Sequence, residues 1–210
     1  ISYKKGITVS DNCDANVRLS VDSSLVNLNA EGDYPVTYSA QDISGNITVL
    51  TITVSVRQRT YSEAEVYALA DRVLSEIITD SMTSYDKLTA IYNWCQRNIY
   101  YIENFEKGNW LKGAYEGLTN HKGDCYAYAC VSQALLIRTG ITTKMINRIP
   151  TTYEHYWNLV DIGEGWKHFD TCPRDNNPYL CYIDDANLMA YSVRNNNCHN
   201  YDRTVFTDIY

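Results

Sequence analysis

The sequence contains no apolar run near the roughly 20 residues that a bilayer-spanning helix needs, so no membrane insertion is expected in this segment. It also lacks a surplus of positive charge, since the formal net charge is −7 and the pI is near 5.0. Phosphate binding needs clustered positive charge, and a nucleic-acid partner is therefore not expected. No CxxC pair occurs. That absence argues against a zinc ribbon or a thioredoxin motif, and neither a metal nor a cofactor is expected.

The N-terminus lacks both an initiating methionine and a secretion signal. The residues after Ile1-Ser2-Tyr3-Lys4-Lys5 show no apolar stretch of the kind that a signal peptide has. We therefore expect a piece of a longer chain. Its 210 residues suffice for one large domain or two ordinary ones, each able to bury a core.

Tyrosine and cysteine occur in unusual numbers. There are 19 Tyr against 3 Phe, which favours either a surface that holds polar, extended ligands or a Tyr-rich edge of the core. Seven Cys is an odd number, so one could be a free reactive thiol while six pair or stay reduced. Pairing would imply an oxidising compartment, and a bridge from Cys172 to Cys181 or Cys198 is the connection considered.

Residues 1–57 show the period-two pattern of β-strands. Apolar and polar residues alternate over 34–40 and again over 50–56, on either side of a turn at 42–46. This pattern predicts an antiparallel hairpin with one buried face. Shorter strands are expected at 6–9 and 17–21, and together the strands predict a small β-sandwich.

Three motifs in this segment resemble the immunoglobulin-like repeats of bacterial surface proteins. They are Asp11-Asn12-Cys13-Asp14, Gly32-Asp33-Tyr34-Pro35-Val36-Thr37-Tyr38 and Asp42-Ile43-Ser44-Gly45-Asn46. The resemblance implies a spacer or adhesive module over residues 1–57. It also implies a secreted chain that lies outside the cell or on the surface of a bacterium.

Residues 61–210, after a linker at 57–60, read as helices followed by strands, which predicts an α+β domain. Ser62 and Glu65 form a capping box that starts the first helix, and a second helix follows Thr83. The segment 101–120 is expected to be irregular. A third helix is predicted from Cys125 to Arg138, because Gly140 is a typical residue after a helix end. The remaining elements are strands at 155–162 and 166–171 and a short helix from Asp184 or Asp185.

Cys125 at the start of the third helix is the candidate nucleophile. Unpaired N–H groups and the partial positive charge of a helix N-terminus favour a thiolate, so a depressed pKa is expected. The Cys125 backbone N–H could also face a developing oxyanion. Gly123 is expected to allow a sharp turn and to leave room for a substrate chain.

A thiol nucleophile needs a base, and the base needs a group that orients it. If Asp161 faces Trp166 across the loop between the last two strands, His155 and Asp170 become diagonal neighbours on one face, within about 7–8 Å. A slip of one residue would separate them. The other histidines compete weakly: His168 lies on the same face, His121 lies in a loop, and His199 lies in a polar tail without a partner signal. Zinc ligation by Cys172, Cys181, Cys198 and His199 is an alternative with long, irregular gaps.

These residues resemble the transglutaminase-like superfamily of papain-type cysteine enzymes. The matching motifs over residues 62–175 are Gly123-Asp124-Cys125, His155-x-Trp157-Asn158, Trp166-x3-Asp170-x2-Pro173 and the preceding helix at 90–101. The resemblance implies helices packed on an antiparallel sheet, with Cys125 as nucleophile, His155 as general base and acid, and Asp170 as the residue that orients the imidazole. It also implies an aromatic second oxyanion donor, for which Tyr101 is the candidate and Trp94 and Trp110 are weaker ones. The substrate-binding candidates are Gly123, Trp157, Trp110 and Tyr156.

The sequence thus predicts an immunoglobulin-like sandwich at 1–57 and a catalytic domain at 61–210. The predicted reaction is cysteine-dependent acyl transfer at amide bonds of a protein or peptide, on a partner associated with the cell wall or the cell surface. By analogy with the family, hydrolysis is favoured over cross-linking to an amine. The alternatives are a transglutaminase and a non-catalytic module that binds a peptide or glycan.

Overall fold

A computed structural model describes residues 2–103, 105–176 and 178–206 of the chain, which divides into two compact units, Ile1–Thr60 and Tyr61–Tyr210. The described part of the first unit holds strands, and that of the second holds both helices and strands. Within these ranges, no helix combines the length and apolar character that crossing a membrane requires.

The first unit is built on one antiparallel sheet. Its strands, in the order β1-β2-β3, are Arg18–Asp22, Gly32–Gln41 and Ile47–Val56. The predicted hairpin is confirmed, because β2 pairs with β3 from Gly32 opposite Val56 to Gln41 opposite Ile47. Asp42 closes the turn by accepting the Asn46 N–H at 2.7 Å.

The predicted sandwich is not seen in the described residues of this unit, and the predicted buried face of the hairpin is seen on β2 but not on β3. Over residues 2–60 the structure describes one sheet, and residues 6–9 are not a strand. A sandwich needs two sheets packed face to face. Val36 and Tyr38 on β2 are buried, but Leu50 on β3 is 61% exposed, because no second sheet covers it in the described residues. The period-two pattern therefore predicts the strand pairing and the alternating burial of β2, but not the exposure of β3.

The second unit mixes helices and sheet, as expected. Its elements in chain order are α1 (Glu63–Ile77), α2 (Ser84–Asn98), β4 (Tyr100–Tyr101), α3 (Trp110–Asn120), β5 (Lys122–Gly123), α4 (Cys125–Arg138), β6 (Thr142–Asn147), a 3₁₀ turn (Thr151–Tyr153), β7 (Tyr156–Asp161), β8 (Lys167–Phe169) and α5 (Asp185–Arg194). The predicted capping box of Ser62 and Glu65 starts α1, and Thr83 caps α2 in the same way with Asp86.

Helix α4 is the centre of the second unit and has the bounds that the sequence predicts. Eleven of its 14 residues are buried, which is typical of a helix that is enclosed on all sides. It contacts the helices α1, α2 and α3 and the strands β5, β6 and β7. The first residue of α4, Cys125, is therefore held in a fixed position by the whole domain.

Helix α3 is an element that the sequence pattern misses, since the segment 101–120 is expected to be irregular. Gly113 and Gly117 lie inside it, and each lowers helix propensity by about 1 kcal/mol relative to Ala. Both glycines face α4. A Cβ on Gly113 would lie 2.8 Å from Cys130 Sγ, and one on Gly117 would lie 2.5 Å from Val131 Cγ2. The two residues that weaken the helix signal are thus the ones that let the helices approach.

Strands β6, β7 and β8 form an antiparallel sheet in that order. β7 pairs Asn158 with Phe169 and Val160 with Lys167, which is the register expected if Asp161 faces Trp166. That register is therefore confirmed. β6 has no predicted counterpart, because its sequence (TTKMIN) is too polar to show apolar alternation.

We expect Gly117→Ala to destabilise the second unit by about 1–3 kcal/mol, because the added methyl group would overpack a helix interface. Urea unfolding followed by circular dichroism measures the change. The matched control is Gly117→Ala/Val131→Ala, which removes the contacting methyl group and should lose less stability than the two single variants together. Strictly additive losses would show that the two positions do not meet.

Candidate active site

The local sequence places Cys125 at the first position of α4. Asp124 is the N-cap, and its Oδ1 accepts the N–H groups of Tyr126 at 2.9 Å and Ala127 at 3.4 Å. The cap therefore uses the second and third N–H groups of the helix and leaves the N–H of Cys125 out. The Cys125 thiol donates to the Glu154 carbonyl oxygen, with 3.8 Å between sulfur and oxygen.

A lysine holds the cap in place. Lys107 Nζ lies 3.2 Å from Asp124 Oδ2 and 3.0 Å from Glu154 Oε2. The two carboxylates raise the pKa of Lys107 above its ordinary value, against the effect of burial. This bridge joins the start of α4 to the segment that leads into β7, which carries the candidate base.

β7 and β8 bring His155 and Asp170 into contact. His155 Nε2 lies 2.8 Å from Asp170 Oδ2, and both side chains are buried. The His155 ring stacks on Trp157, with 5.4 Å between ring centroids and 15° between planes. The carboxylate and the indole therefore fix the orientation of the imidazole.

Asp170 has a second histidine partner that sequence reasoning missed. His199, which follows α5, is fully buried, and its Nε2 lies 2.7 Å from the same Oδ2. The other oxygen, Oδ1, accepts the Cys172 N–H at 3.0 Å. Burial alone would raise the pKa of Asp170, but its bonds and charge interactions with His155 and His199 hold that pKa well below the ordinary value. The polar tail around His199 carries no periodicity or motif that could have indicated this contact.

Cys125 and His155 line one cavity of about 200 Å³, whose other lining residues are Tyr101, Arg148, Tyr153, Glu154, Cys172, Pro173, Arg174 and Cys198. Asp170 lies behind His155, out of the cavity. The nucleophile and base candidates thus share one solvent-reachable space, and the orienting carboxylate is buried beside the base.

The thiol and the imidazole are both neutral at rest. Burial, reinforced by the charge of Asp124, raises the pKa of the Cys125 thiol to about 11. The expected depression of this pKa is therefore wrong, because desolvation outweighs the favourable helix N-terminus. Burial also lowers the pKa of His155, in spite of Asp170. Since the Asp170 carboxylate accepts a hydrogen bond from the Nε2–H of His155, Nδ1 is the ring nitrogen left to accept the thiol proton.

The aromatic oxyanion candidates separate in space. Tyr101 lines the cavity with Cys125, and burial raises its pKa to about 12, so its hydroxyl stays protonated and able to donate. Trp94 packs in the core against His121, with 6.0 Å between ring centroids, and does not line the cavity. Trp110 starts α3 and packs against the same core.

Two of the substrate-binding candidates have structural roles instead. Trp157 is fully buried and donates from Nε1 to His168 Nδ1 at 3.0 Å, so it cannot contact a substrate. A Cβ on Gly123 would lie 2.1 Å from the Ala127 Cβ, and the φ of Gly123 is not in the left-handed region. Glycine is therefore required for close packing against α4, and not for a sharp turn or for substrate room. Tyr156 is half-buried and packs edge-on against Tyr126.

The competing histidines are occupied elsewhere. His168 is fully buried and lies between Trp157 Nε1 and Asp185 Oδ1, the latter at 3.3 Å. His121 caps the end of α3, and its Nδ1 lies 3.1 Å from the Asn98 carbonyl oxygen. Neither lines the cavity that holds Cys125.

The possible metal ligands form one group in the described residues, made of His155, Asp170 and His199, whose ligand atoms lie within 4.8 Å of one another. The Nε2 atoms of both imidazoles lie at hydrogen-bond distance from Asp170 Oδ2. These distances are typical of N–H···O hydrogen bonds, with a proton between the two atoms of each pair. The cysteine-rich zinc alternative does not assemble among those residues. All seven cysteines are free, so the considered Cys172 bridges are absent.

Residues 71–171, just under half of the chain, match the family model of the transglutaminase-like superfamily, and the match includes Cys125, His155 and Asp170. The second unit therefore carries a transglutaminase-like domain. Members of this superfamily are generally cysteine-dependent enzymes. No curated protein matches the sequence.

Solved structures similar to this chain are distant in sequence. A candidate cysteine protease from Cytophaga hutchinsonii shares 15% identity with a TM-score of 0.41, over 75% of this chain and 65% of that one. A structure described as a TGase shares 12% identity with a TM-score of 0.37, over 52% and 31%. The periplasmic domain of TgpA from Pseudomonas aeruginosa, bound to ethylmercury, shares 13% with a TM-score of 0.37, over 72% and 76%. The chain thus spans less than two thirds of the first two proteins.

We expect no thiolate on Cys125 at neutral pH, because burial raises its pKa to about 11. The difference in ultraviolet thiolate absorbance between the unmodified protein and Cys125→Ser should stay flat through neutrality and rise in alkali. A thiolate signal at or below neutral pH would instead demonstrate an ion pair between Cys125 and His155.

His199 should make the fold sensitive to mild acid. Burial lowers its pKa from 6.5 to about 4, so below pH 6.5 the unfolded chain binds a proton that the folded chain does not. Stability should therefore fall as the pH drops from 6.5 to 4, by about 3 kcal/mol from this group. Urea unfolding at several pH values should show a shallower loss in His199→Gln. The exposed-site control, His121→Gln, should keep the original slope, and an equally steep loss in His199→Gln would contradict this role.

Proposed function

We propose that the second unit catalyses acyl transfer at amide bonds of a peptide or protein, with Cys125 as nucleophile, His155 as base and acid, and Asp170 as the residue that orients His155. The observation that carries the proposal is that Cys125 and His155 line one cavity while Asp170 binds His155 from the buried side. A nucleophile, a base and an orienting group are the minimum set for this chemistry.

The first step forms a bond between Cys125 Sγ and the amide carbon. His155 Nδ1 takes the thiol proton as Sγ attacks, and the carbonyl π electrons move onto oxygen. Because thiol and imidazole start neutral, the positive imidazolium appears only as the reaction proceeds. The buried carboxylate of Asp170 stabilises that developing charge and so acts on the transition state more than on the resting enzyme.

The second step breaks the carbon–nitrogen bond. The imidazolium gives its proton to the leaving amine, and a thioester remains on Cys125. His155 then removes a proton from the incoming acceptor as the acceptor attacks the thioester carbon. The carbon–sulfur bond breaks, and the imidazolium returns its proton to the Cys125 sulfur. The Cys125 N–H, which the Asp124 cap leaves out, and the Tyr101 hydroxyl are the proposed donors to the oxyanion.

Water is the proposed acceptor, so the reaction is hydrolysis. Retaining a thioester for an amine requires that the site excludes water. Tyr101 is 43% exposed at the cavity, and the Glu154 side chain, also at the cavity, is 42% exposed, so the cavity that Cys125 lines is open to solvent.

The first unit takes no part in this chemistry. We propose that it serves as a spacer in a surface-located bacterial chain, which is what its sequence motifs imply. The substrate would then be a peptide of the cell wall or of a surface protein. Fractionation of the producing cells, with the chain recovered in the cytosol, would contradict this location.

Cys125→Ala should lower turnover by at least about a thousandfold and leave the fold intact, because alanine is a good helix former and only the nucleophile is lost. Cleavage of a peptide library, read by mass spectrometry, measures turnover. The matched control is Cys130→Ala, which removes another buried thiol of α4 and should retain activity. Equal turnover in folded Cys125→Ala would refute the assignment and leave a binding module.

Asp170→Asn should reduce turnover about a hundredfold or more, because the amide cannot stabilise the imidazolium as a carboxylate does.

Casein fragmentation without uptake of dansyl-cadaverine is expected for hydrolysis. Uptake of the amine without fragmentation would overturn hydrolysis in favour of cross-linking.

A further inference from the structure

The cavity at Cys125 continues into a larger one that has no role in the proposed chemistry. The larger cavity has a volume of about 650 Å³. The two cavities share five lining residues, namely Arg148, Tyr153, Pro173, Arg174 and Cys198. A peptide whose scissile amide lies at Cys125 would therefore extend from one cavity into the other.

Two guanidinium groups line both cavities, and neither has its full set of hydrogen bonds. Arg148 donates from Nη1 to the Tyr153 carbonyl at 3.2 Å and from Nη2 to the Asn196 carbonyl at 2.8 Å, while its buried Nε has no partner. Its two acceptors are neutral, so its charge is not balanced by a carboxylate. Buried donors without partners are rare in folded proteins and call for an explanation.

Arg174 is in a similar state. Its Nε lies 3.6 Å from Asp170 Oδ2, which is too far for a hydrogen bond, and that oxygen already accepts from two histidines. Its Nε and Nη2 are both buried without hydrogen-bond partners. The guanidinium thus has no hydrogen-bonded carboxylate, and the exposed part of its side chain lines both cavities.

The acidic groups of the cavities do not satisfy these arginines. Asp175 is the carboxylate that lines the larger cavity, and Glu154, which lines the smaller one, is bound to Lys107. Arg174 has an ion-pair partner in the buried Asp170, whereas no ion pair of Arg148 is seen in the described residues, and Asp175 is the carboxylate that lines the larger cavity with both arginines. The positive charge is local and is directed at the candidate nucleophile's cavity.

We propose that Arg148 and Arg174 form a subsite that binds a carboxylate of the substrate, on the residues next to the amide that Cys125 attacks. The inference rests on the proposed function and names its substrate class, acidic peptides. Arginine forks bind carboxylates through paired charge-assisted hydrogen bonds, and both arginines line the two cavities, the Arg174 side chain with 21% of its surface exposed. The carboxylate belongs to an acidic side chain or to a chain end.

Iodoacetate and iodoacetamide test the subsite without requiring turnover, because they alkylate the same thiol and differ in one carboxylate. The rate ratio of iodoacetate to iodoacetamide at Cys125, mapped by mass spectrometry, should fall about tenfold in Arg148→Gln. Arg148→Lys, which keeps the charge, should retain most of the ratio. In the unmodified protein, added salt should also lower the ratio, because salt screens the attraction between the arginines and iodoacetate. A ratio that neither salt nor Arg148→Gln changes would overturn the subsite.

Paired peptides then separate the subsite from the proposed function. Among the peptides that are cleaved, kcat/KM should be about tenfold higher for those with Glu near the scissile bond than for their counterparts with Gln. Arg148→Gln should abolish this difference. Peptides with free and amidated ends distinguish a side chain from a chain end as the source. Equal cleavage of both members of every pair would overturn the subsite and leave the catalytic assignment standing. A charge-dependent alkylation ratio without cleavage of any peptide would support the subsite and overturn the catalysis.

Discussion

The buried carboxylate of Asp170 is the constraint on which the candidate site depends. An isolated charge in a protein interior costs several kcal/mol, so it requires partners. Oδ2 accepts from His155 and His199, and Oδ1 accepts the Cys172 N–H. These three donors come from the start of β7, from the segment after α5 and from the segment after β8. One carboxylate therefore ties together parts of the chain that are far apart in sequence.

A helix N-terminus and a nearby carboxylate are often expected both to position a cysteine and a histidine and to charge them at rest. In this site they position the two side chains without charging them. Burial keeps the Cys125 thiol protonated and the His155 imidazole neutral at rest. The position of Cys125 at the start of α4 therefore supplies geometry and an N–H donor rather than a thiolate. In the proposed reaction, charge separation appears only during the attack, where Asp170 would stabilise the imidazolium. Desolvation sets the protonation states of Cys125 and His155 at rest, and in the proposed reaction the preorganised carboxylate lowers the barrier.

Much of this geometry can be predicted from local sequence signals, and the rest cannot, for physical reasons. The capping box of α1, the bounds of α4 and the β7–β8 register follow from caps, periodicity and strand pairing. Helix α3 is not predicted from the sequence, because the glycines that permit its packing against α4 also weaken its helical pattern. The contact between His199 and Asp170 depends on how the segment after α5 folds back, which no short-range pattern encodes. The absent sandwich shows the converse, since alternation predicts pairing whether or not a second sheet covers the face.

Arg174 shows how the same crowding shapes the surface that faces a substrate. Asp170 has committed its oxygens to shorter bonds, so the Arg174 guanidinium at 3.6 Å feels the negative charge without receiving an acceptor. It is attracted strongly enough to remain beside the buried carboxylate, yet its Nε and Nη2 donors stay unused. A carboxylate bound in the cavity, as proposed, would meet the exposed part of the guanidinium and would leave the hydrogen bonds of the two histidines unchanged. Because the oxygens of Asp170 are already hydrogen-bonded, the partner proposed for Arg174 is a second carboxylate, one that belongs to the substrate.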